Sequence, residues 1–399
     1  MFILKKLWCR IFQIGFRAAL PVLPYREPKI IPSCNDLGTV FKKENSRSVL
    51  VVTDKGIINN GIVVPVEEAL KSNNIKYVIY DNTQPNPTVA NVEEALKIYR
   101  ENNCDTLIAV GGGSVMDCAK GLGARVAYPN KKLGKMAGVL RVLRKIPTLI
   151  AIPTTAGTGS ETTLAAVITD AETRHKYAIM SFPLIPHYAV LDARLTYSLP
   201  RHLTSTTGMD ALTHAVEAYI GRSTTKKTRA LALEATKLIF ENIENAYADG
   251  KNHEARSNML LAAYKAGISF SMSYVGYVHA VAHSVGGKYG IPHGLANAVI
   301  MPYVLEEYGV SAHKKLHELG VAAGVSAESD THEVGAKKFI EAVKGLNAKM
   351  NIPTTLKGIK SEDIPELAEH AEKEANPLYP VPKLMTSREL EVFYHKVSE

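Results

Sequence analysis

Between residues 48 and 152 one pattern recurs: a short apolar run, a turn rich in Asp, Asn or Gly, then a helical stripe. Residues 48–53 (SVLVVT) run into Asp54-Lys55-Gly56, and 63–73 read as a helix. Residues 76–80 (KYVIY) close on Asp81 and a PNPT turn at 85–88. Val89, Val92, Ala95, Leu96 and Tyr99 then share one helical face. Residues 106–110 (TLIAV) enter Gly111-Gly112-Gly113-Ser114, and 148–152 (TLIAI) enter PTTAGTGSE. Apolar strands that alternate with helices call for a parallel sheet covered on both faces.

Near residues 193–203 the strands stop. Helical patterns follow at 205–221, 226–247, 253–276, 278–286, 295–308, 312–324, 331–350, 361–375 and 386–396. A chain of 399 residues is too long for one small core. The expected division is an N-terminal extension (1–30), an α/β domain (31–195) and an all-helical domain (196–399).

The extension is of another kind. Along residues 1–20, Lys6, Arg10, Gln13 and Arg17 fall on a narrow helical face. Leu4, Leu7, Trp8, Ile11, Ile14 and Ala18 fill the broad one. Arg10 and Arg17 interrupt any secretory signal, and Pro21 and Pro24 end the helix. Two readings stand open: a helix lying on a membrane surface, or one packed on its own protein or a partner subunit. Either way it reads as separable from catalysis.

Hydrophobic residues make up 46% and charged residues 22%, as in a soluble enzyme. The net charge is +8 and the pI about 9.0. Lys and Arg read as spread along the chain, without a basic run in its body or a nucleic-acid motif, so no nucleic-acid partner is expected. An anionic cofactor, or a membrane surface at one end, would account for the balance. Cys9, Cys34, Cys104 and Cys118 form no CxxC pair, which fits a reducing cytoplasm. No uncharged apolar stretch reaches 18 residues.

Two loops suit a dinucleotide. Gly111–Ser114 follows a strand and opens a helix, where backbone N–H groups and the helix dipole favour a pyrophosphate. Residues 154–160 (TTAGTGS) end the next strand with small and hydroxyl side chains. A tight packing turn would look the same as the first loop, but two such loops at strand ends converge on one crevice. Asp54 closes the first strand of the repeat, where a carboxylate can hold ribose hydroxyls and repel a 2′-phosphate. A turn-forming Asp is the plain alternative.

The richest stretch is 278–294, VHAVAHSVGGKYGIPHG. His279 and His283 are four apart and share a helical face, while His293 lies beyond the turn. Upstream, GMDALTHAVEAY places Asp210 and His214 four apart. One carboxylate and three imidazoles can hold a divalent metal. A satisfied polar cluster is the alternative, and spacing does not choose among the histidines.

The stretches GMDALTHAVEAY and HAVAHSVGGKYGIPHG resemble the two signatures of the iron-containing (group III) alcohol dehydrogenases. The likeness extends through VVTDKG, PNPT, GGGSVMDCAK, IPTTAGTGSE, SEDIPELAEHA and ANP, covering residues 31–399. It implies a Rossmann-like α/β domain with a parallel sheet, then an all-α domain, with an active site in the cleft between. By motif it implies Asp210, His214, His279 and His293 as metal ligands, holding Fe(II) or else Zn(II). His283 aligns with a non-ligand histidine that helps pass the alcohol proton out. Gly111, Gly112, Gly113, Ser114, Asp117, Thr154 and Thr155 match dinucleotide-contacting segments, with Asn86 and Lys176 nearby. Ala165, Phe270 and Val275 fall near the alcohol pocket.

The activity so implied is NAD(H)-dependent interconversion of a small aliphatic alcohol and its aldehyde or ketone. A homodimer or larger homo-oligomer is the implied assembly. A polyol dehydrogenase or a lyase of the dehydroquinate synthase kind would share the fold, and a metal-dependent hydrolase could share the ligands.

Overall fold

A computed structural model describes residues 2–170 and 176–399. By internal contacts the chain divides into two units, Pro24–Leu199 and a unit of Met1–Leu23 with Pro200–Glu399. The first 23 residues therefore group with the helical part of the chain rather than standing apart.

The strands of the α/β unit are β1 (Lys29–Ile31), β2 (Ser48–Val52), β3 (Lys76–Tyr80), β4 (Thr106–Gly111), β5 (Gly138–Val139), β6 (Thr148–Pro153), β7 (Ala165–Thr169), β8 (Lys176–Met180) and β9 (Tyr188–Val190). Six of them form an all-parallel sheet in the order β1-β9-β6-β4-β2-β3. Its helices are α2 (Leu37–Glu44), α3 (Lys55–Asn59), α4 (Val64–Ser72), α5 (Val89–Glu101) and α6 (Gly113–Ala127), with α1 (Phe2–Ala19) belonging to the other unit. Successive strand residues face opposite sides. Leu50, Val52, Leu107 and Ala109 join one core cluster, with Val92 and Leu96 of α5 and Val115 and Leu122 of α6. Val49, Val51, Ile108 and Val110 join the other, with Val40 of α2 and Leu70 of α4. The unbroken apolar runs in the sequence reflect this two-sided burial.

Strand β2 leads outward to β3, and the chain then returns to lay β4 on the other side of β2. At such a reversal the loops after the two strands part to opposite faces and leave a crevice at their carboxyl ends. A second sheet, β5-β8-β7, includes the antiparallel β7–β8 pair, which the strand–helix alternation does not foretell.

The helical unit contains α7 (Arg201–Ile220), α8 (Lys226–Ala248), α9 (His253–Ser273), α10 (Tyr277–Tyr289), α11 (His293–Tyr308), α12 (His313–Ala322), α13 (His332–Lys349), α14 (Ile364–Ala375) and α15 (Ser387–Val397). Helix α7 packs against α8, α9, α11 and α12 and is buried on nearly every side.

Helix α1 reverses the orientation that its helical wheel suggests. Its polar face points inward: Gln13 is 3% exposed and donates to the carbonyls of Pro377 and Tyr379. Arg10 donates to the carbonyls of Val381 and Pro382. Lys5 pairs with Glu372. The segment NPLYPVP at 376–382 has three prolines and so few N–H donors, and its carbonyls take their hydrogen bonds from α1. Leu4, Leu7, Trp8, Ile11 and Ile14 are left facing outward, each more than half exposed. No helix among the described residues is long and apolar enough to cross a membrane.

Candidate metal centre and nucleotide loops

Asp210 and His214 stand one turn apart on α7, His279 on α10, and His293 is the first residue of α11. Ile291-Pro292 ends in extended backbone, which sets the chain up to start a helix at His293. One ligand atom from each of these four residues lies within 4.8 Å of the others. The chemistry of this set fits a divalent cation. His279 is 2% exposed, and its Nε2 has no hydrogen-bond partner among the described residues, although it lies only 3.9 Å from Asp210. Its other nitrogen is held, with Nδ1 2.6 Å from the Glu217 carboxylate. Burial, and then the neighbouring His214, His293 and His283, push His279 well below its ordinary pKa. The imidazole is thereby kept neutral with a lone pair free, the form that a metal needs.

Glu217 also accepts the N–H groups of Gly276 and Val278, at 2.8 and 2.7 Å, so one carboxylate caps α10 and orients its histidine. A Cβ on Gly276 would come within 2.6 Å of that carboxylate, so a larger residue there would push Glu217 off its donors. Burial raises the Glu217 pKa to about 7, against the lowering effect of these donors. Asn297, one turn beyond His293, donates to Asp210 Oδ1 at 2.7 Å and lies 3.1 Å from His293 Nε2. His214 stacks between Phe270, at 4.1 Å, and His279, at 4.6 Å. Phe270, expected near the alcohol, thus adjoins the cluster.

His283 stays outside the four but stacks on His293 at 5.1 Å. Its Nδ1 lies 2.6 Å from Glu374, which also accepts from Tyr379. Partial burial opposes protonation of His283, and the carboxylates of Glu374, Asp210 and Glu217 together more than offset it, so the pKa lies above the ordinary value.

In the α/β unit the residues expected to meet a nucleotide follow the carboxyl ends of the neighbouring strands β2, β4 and β6. Gly111 packs so closely that a Cβ would meet Val115 Cγ2 at 2.6 Å. Helix α6 begins at Gly113 with no side-chain cap, leaving its N–H groups for an anion. The Thr154 N–H reaches Gly111 O, joining the two loops. Ser114 Oγ accepts from Asn86 N at 3.3 Å, and Lys176 Nζ donates to Asn86 Oδ1 at 2.9 Å. Asp54 closes β2, and Thr53 beside it donates to Val110 O of β4 at 2.8 Å. Asp54 Oδ1 accepts from Ile57 N and caps α3, so the plain reading of this residue holds alongside any contact with a ribose. Strand geometry does not persist into Lys55, which begins α3 and is exposed.

The residues also match known families. An iron-containing alcohol dehydrogenase profile fits residues 32–193, and the C-terminal profile of that family fits residues 204–397. The chain belongs to the iron-containing alcohol dehydrogenase family. It is 41% identical over 339 residues to alcohol dehydrogenase 4 of Saccharomyces cerevisiae, covering 84% of this chain and 87% of that one. It is 38% identical over 344 residues to the 1,3-propanediol dehydrogenase of Citrobacter freundii, covering 85% and 89%. A solved 1,3-propanediol oxidoreductase superposes with a TM-score of 0.89 at 35% identity, over 94% of this chain and 98% of that one.

Several residues around the candidate site carry no motif of their own. Glu217 is marked in the sequence only by continuing the Asp210/His214 face at i+7. Asn297 repeats the four-residue spacing after His293. Lys120, wholly buried on α6, donates to Ser160 O, Ser160 Oγ, Thr163 Oγ1 and Ala165 O at 2.7–3.1 Å. Beside it Asp117 accepts from Ser160 Oγ and Val167 N, so both its oxygens serve to tie α6 to the second loop and β7. Burial lowers Lys120 to about 8 and raises Asp117 to about 6 and Glu161 to about 7. Nothing in the sequence pattern separates this lysine from a surface one.

Proposed function

We propose that this chain oxidises a small aliphatic alcohol to its aldehyde or ketone, and runs the reverse reduction, with NAD(H) and a divalent metal. The observation that carries the reading is the free Nε2 of His279, buried among Asp210, His214 and His293 while Glu217 holds Nδ1. A cation held by those four residues supplies Lewis acidity toward the alcohol oxygen. NAD(H) supplies the hydride chemistry. Nitrogen and oxygen donors suit iron and zinc alike, and family membership favours iron.

The side chains divide the remaining work. Glu217 and Asn297 orient ligands. Phe270 gives the cluster an apolar wall, which favours aliphatic over charged substrates, with Val275 as a further pocket residue of the same unit. His283, half-exposed and steadied by Glu374, takes the hydroxyl proton toward solvent. Gly111–Ser114 and the N-terminus of α6 receive the pyrophosphate, joined by Asn86, Thr154, Thr155 and Lys176, and Asp117 steadies the loop they share. Asp54 favours NAD over NADP. Residues 24–199 then serve the dinucleotide and 200–399 the metal.

NADH formation across an alcohol panel, with metal analysis of the same sample, tests the reading. A metal-loaded sample without turnover on any alcohol or aldehyde would remove it. The outward apolar face of α1 supports peripheral contact with a membrane, and a cytoplasmic homodimer is the proposed assembly. Vesicle flotation of a Trp8→Ser/Ile11→Ser variant and its mass in solution test these two points.

A further inference from the structure

Contrary to the even spread of charge expected above, the chain has no acidic residue between Asp117 and Glu161. Lys120 is buried and Arg125 pairs with Glu93. The other six cations of that stretch, Lys131, Lys132, Lys135, Arg141, Arg144 and Lys145, form no salt bridge among the described residues, and all but the partly buried Lys131 are exposed. They supply most of the chain's excess of +8. Three aliphatic side chains stand out among them: Val139 at 50% exposure, Leu140 at 45% and Leu143 at 70%.

This segment is held, not loose. Leu133, Met136, Val142 and Ile146 are anchored in the core, and β5 pairs with β8. Val142 N donates to Ser181 Oγ, and the N–H groups of Leu143 and Arg144 donate to Tyr128 Oη. Leu140 has φ 56°, a left-handed turn that a leucine adopts only when its surroundings impose it. Arg144 and Lys131 both lie over the Tyr128 ring, at 4.9 and 5.5 Å. With Pro129 and Asn130 these three line an open cavity of about 270 Å³.

We infer that the surface formed by residues 128–145 docks on an anionic lipid bilayer, with a headgroup phosphate in the Tyr128/Lys131/Arg144 cavity and Leu140 and Leu143 dipped among the lipids. Charge complementarity selects the partner. Clustered unpaired cations attract an anionic leaflet, and protruding aliphatics between them gain only where an apolar layer lies beneath the charge. A nucleic acid would leave those aliphatics in water, and stacked bases would gain nothing from them. The surface belongs to the α/β unit, whereas the metal cluster and α1 belong to the helical one, and it does not depend on the dehydrogenase reading.

Flotation of the full-length protein with phosphatidylcholine vesicles, with and without phosphatidylglycerol, tests this. Binding is expected only with phosphatidylglycerol, and it should weaken as salt is raised. Arg144→Gln with Lys145→Gln should lower the bound fraction roughly tenfold, since each cation near an anionic surface counts separately. Leu143→Ser should lower it severalfold, and both variants should keep wild-type alcohol turnover, which also confirms their folding. A Trp8→Ser/Ile11→Ser control separates any part played by α1. The proposal fails if wild type ignores phosphatidylglycerol, or if the charge variant binds like wild type. It fails equally if duplex DNA binds more tightly than the vesicles, or if the charge variant instead splits an oligomer and so marks a contact between copies.

Discussion

In the helical unit the proposed ligand atoms belong to side chains, spaced one turn apart on α7, α10 and α11. In the α/β unit the proposed nucleotide surface is mostly backbone, at Gly111–Ser114 and Thr154–Thr155, with titratable groups buried nearby at Lys120, Asp117 and Glu161. Burial therefore does opposite work in the two places. Around His279 it strips the proton from a ligand and leaves a lone pair for a cation. Around Lys120 it hides a cation whose protons hold loop carbonyls and hydroxyls in place. The first cluster keeps a donor atom unpaired, whereas the second satisfies its lysine within the fold. Breaking one should spare the other.

The largest effect is expected from the metal ligands. His279→Ala and His293→Ala should each lose bound metal and lower turnover roughly a thousandfold, the several kcal/mol that a Lewis acid supplies. NADH binding should persist. His283→Ala should keep its metal and turn over more slowly. A metal-free His283 variant beside a metal-loaded His293 variant would reverse this ligand assignment. Next comes Glu217→Gln, which weakens the hold on His279 Nδ1. Metal affinity should fall roughly 10–100-fold, the usual cost of losing a ligand's hydrogen-bonding partner. Unchanged affinity in a competitive chelator titration would reduce Glu217 to a helix cap.

Lys120→Met tests the other side. Four acceptors lose a buried donor, and stability should fall by about 3 kcal/mol, the scale for removing one member of a buried charged network. The KM for NAD should rise while metal content stays at wild-type level. Equal losses of metal and NAD affinity would mean that the two sites are not independent. The smallest effect belongs to Asp54→Gly. Its kcat/KM ratio should move toward NADP(H) roughly tenfold as the repulsion of a 2′-phosphate is relieved. Losing the α3 cap to glycine costs only a few tenths of a kcal/mol, so the ratio reads specificity and not unfolding. A wild type that already prefers NADPH would take Asp54 out of this role.

The same contrast explains what could be read in advance. Asp210, His214 and His279 announce themselves by spacing and residue type, and the four-ligand choice came from the family signatures. Gly111–Ser114 was visible as a loop, but Lys120 behind it was not, because a lysine's burial depends on partners some forty residues away. The parallel sheet followed from its apolar runs. The β7–β8 pair did not, since its residues alternate too weakly to stand out. Helix α1 was recognised as amphipathic but not as polar-side-in. A helical wheel carries no knowledge of carbonyls near residue 380 that lack donors of their own. For the same reason the first 20 residues are no loose appendage. Phe16 lies edge-on to Tyr274 at 5.0 Å, and Gln13 binds the carbonyl of Tyr379, whose hydroxyl reaches Glu374 beside His283.

That inverted helix also governs what light reports about the protein. Trp8 is the chain's one tryptophan, and it sits on the outward face at 58% exposure. Indole emission will therefore be red-shifted in the native state and nearly blind to melting of either core. Denaturation followed at that wavelength would record little while circular dichroism records a full transition. A blue shift at constant secondary structure would instead signal that something has covered the first helix, so the protein carries its own optical probe of that face.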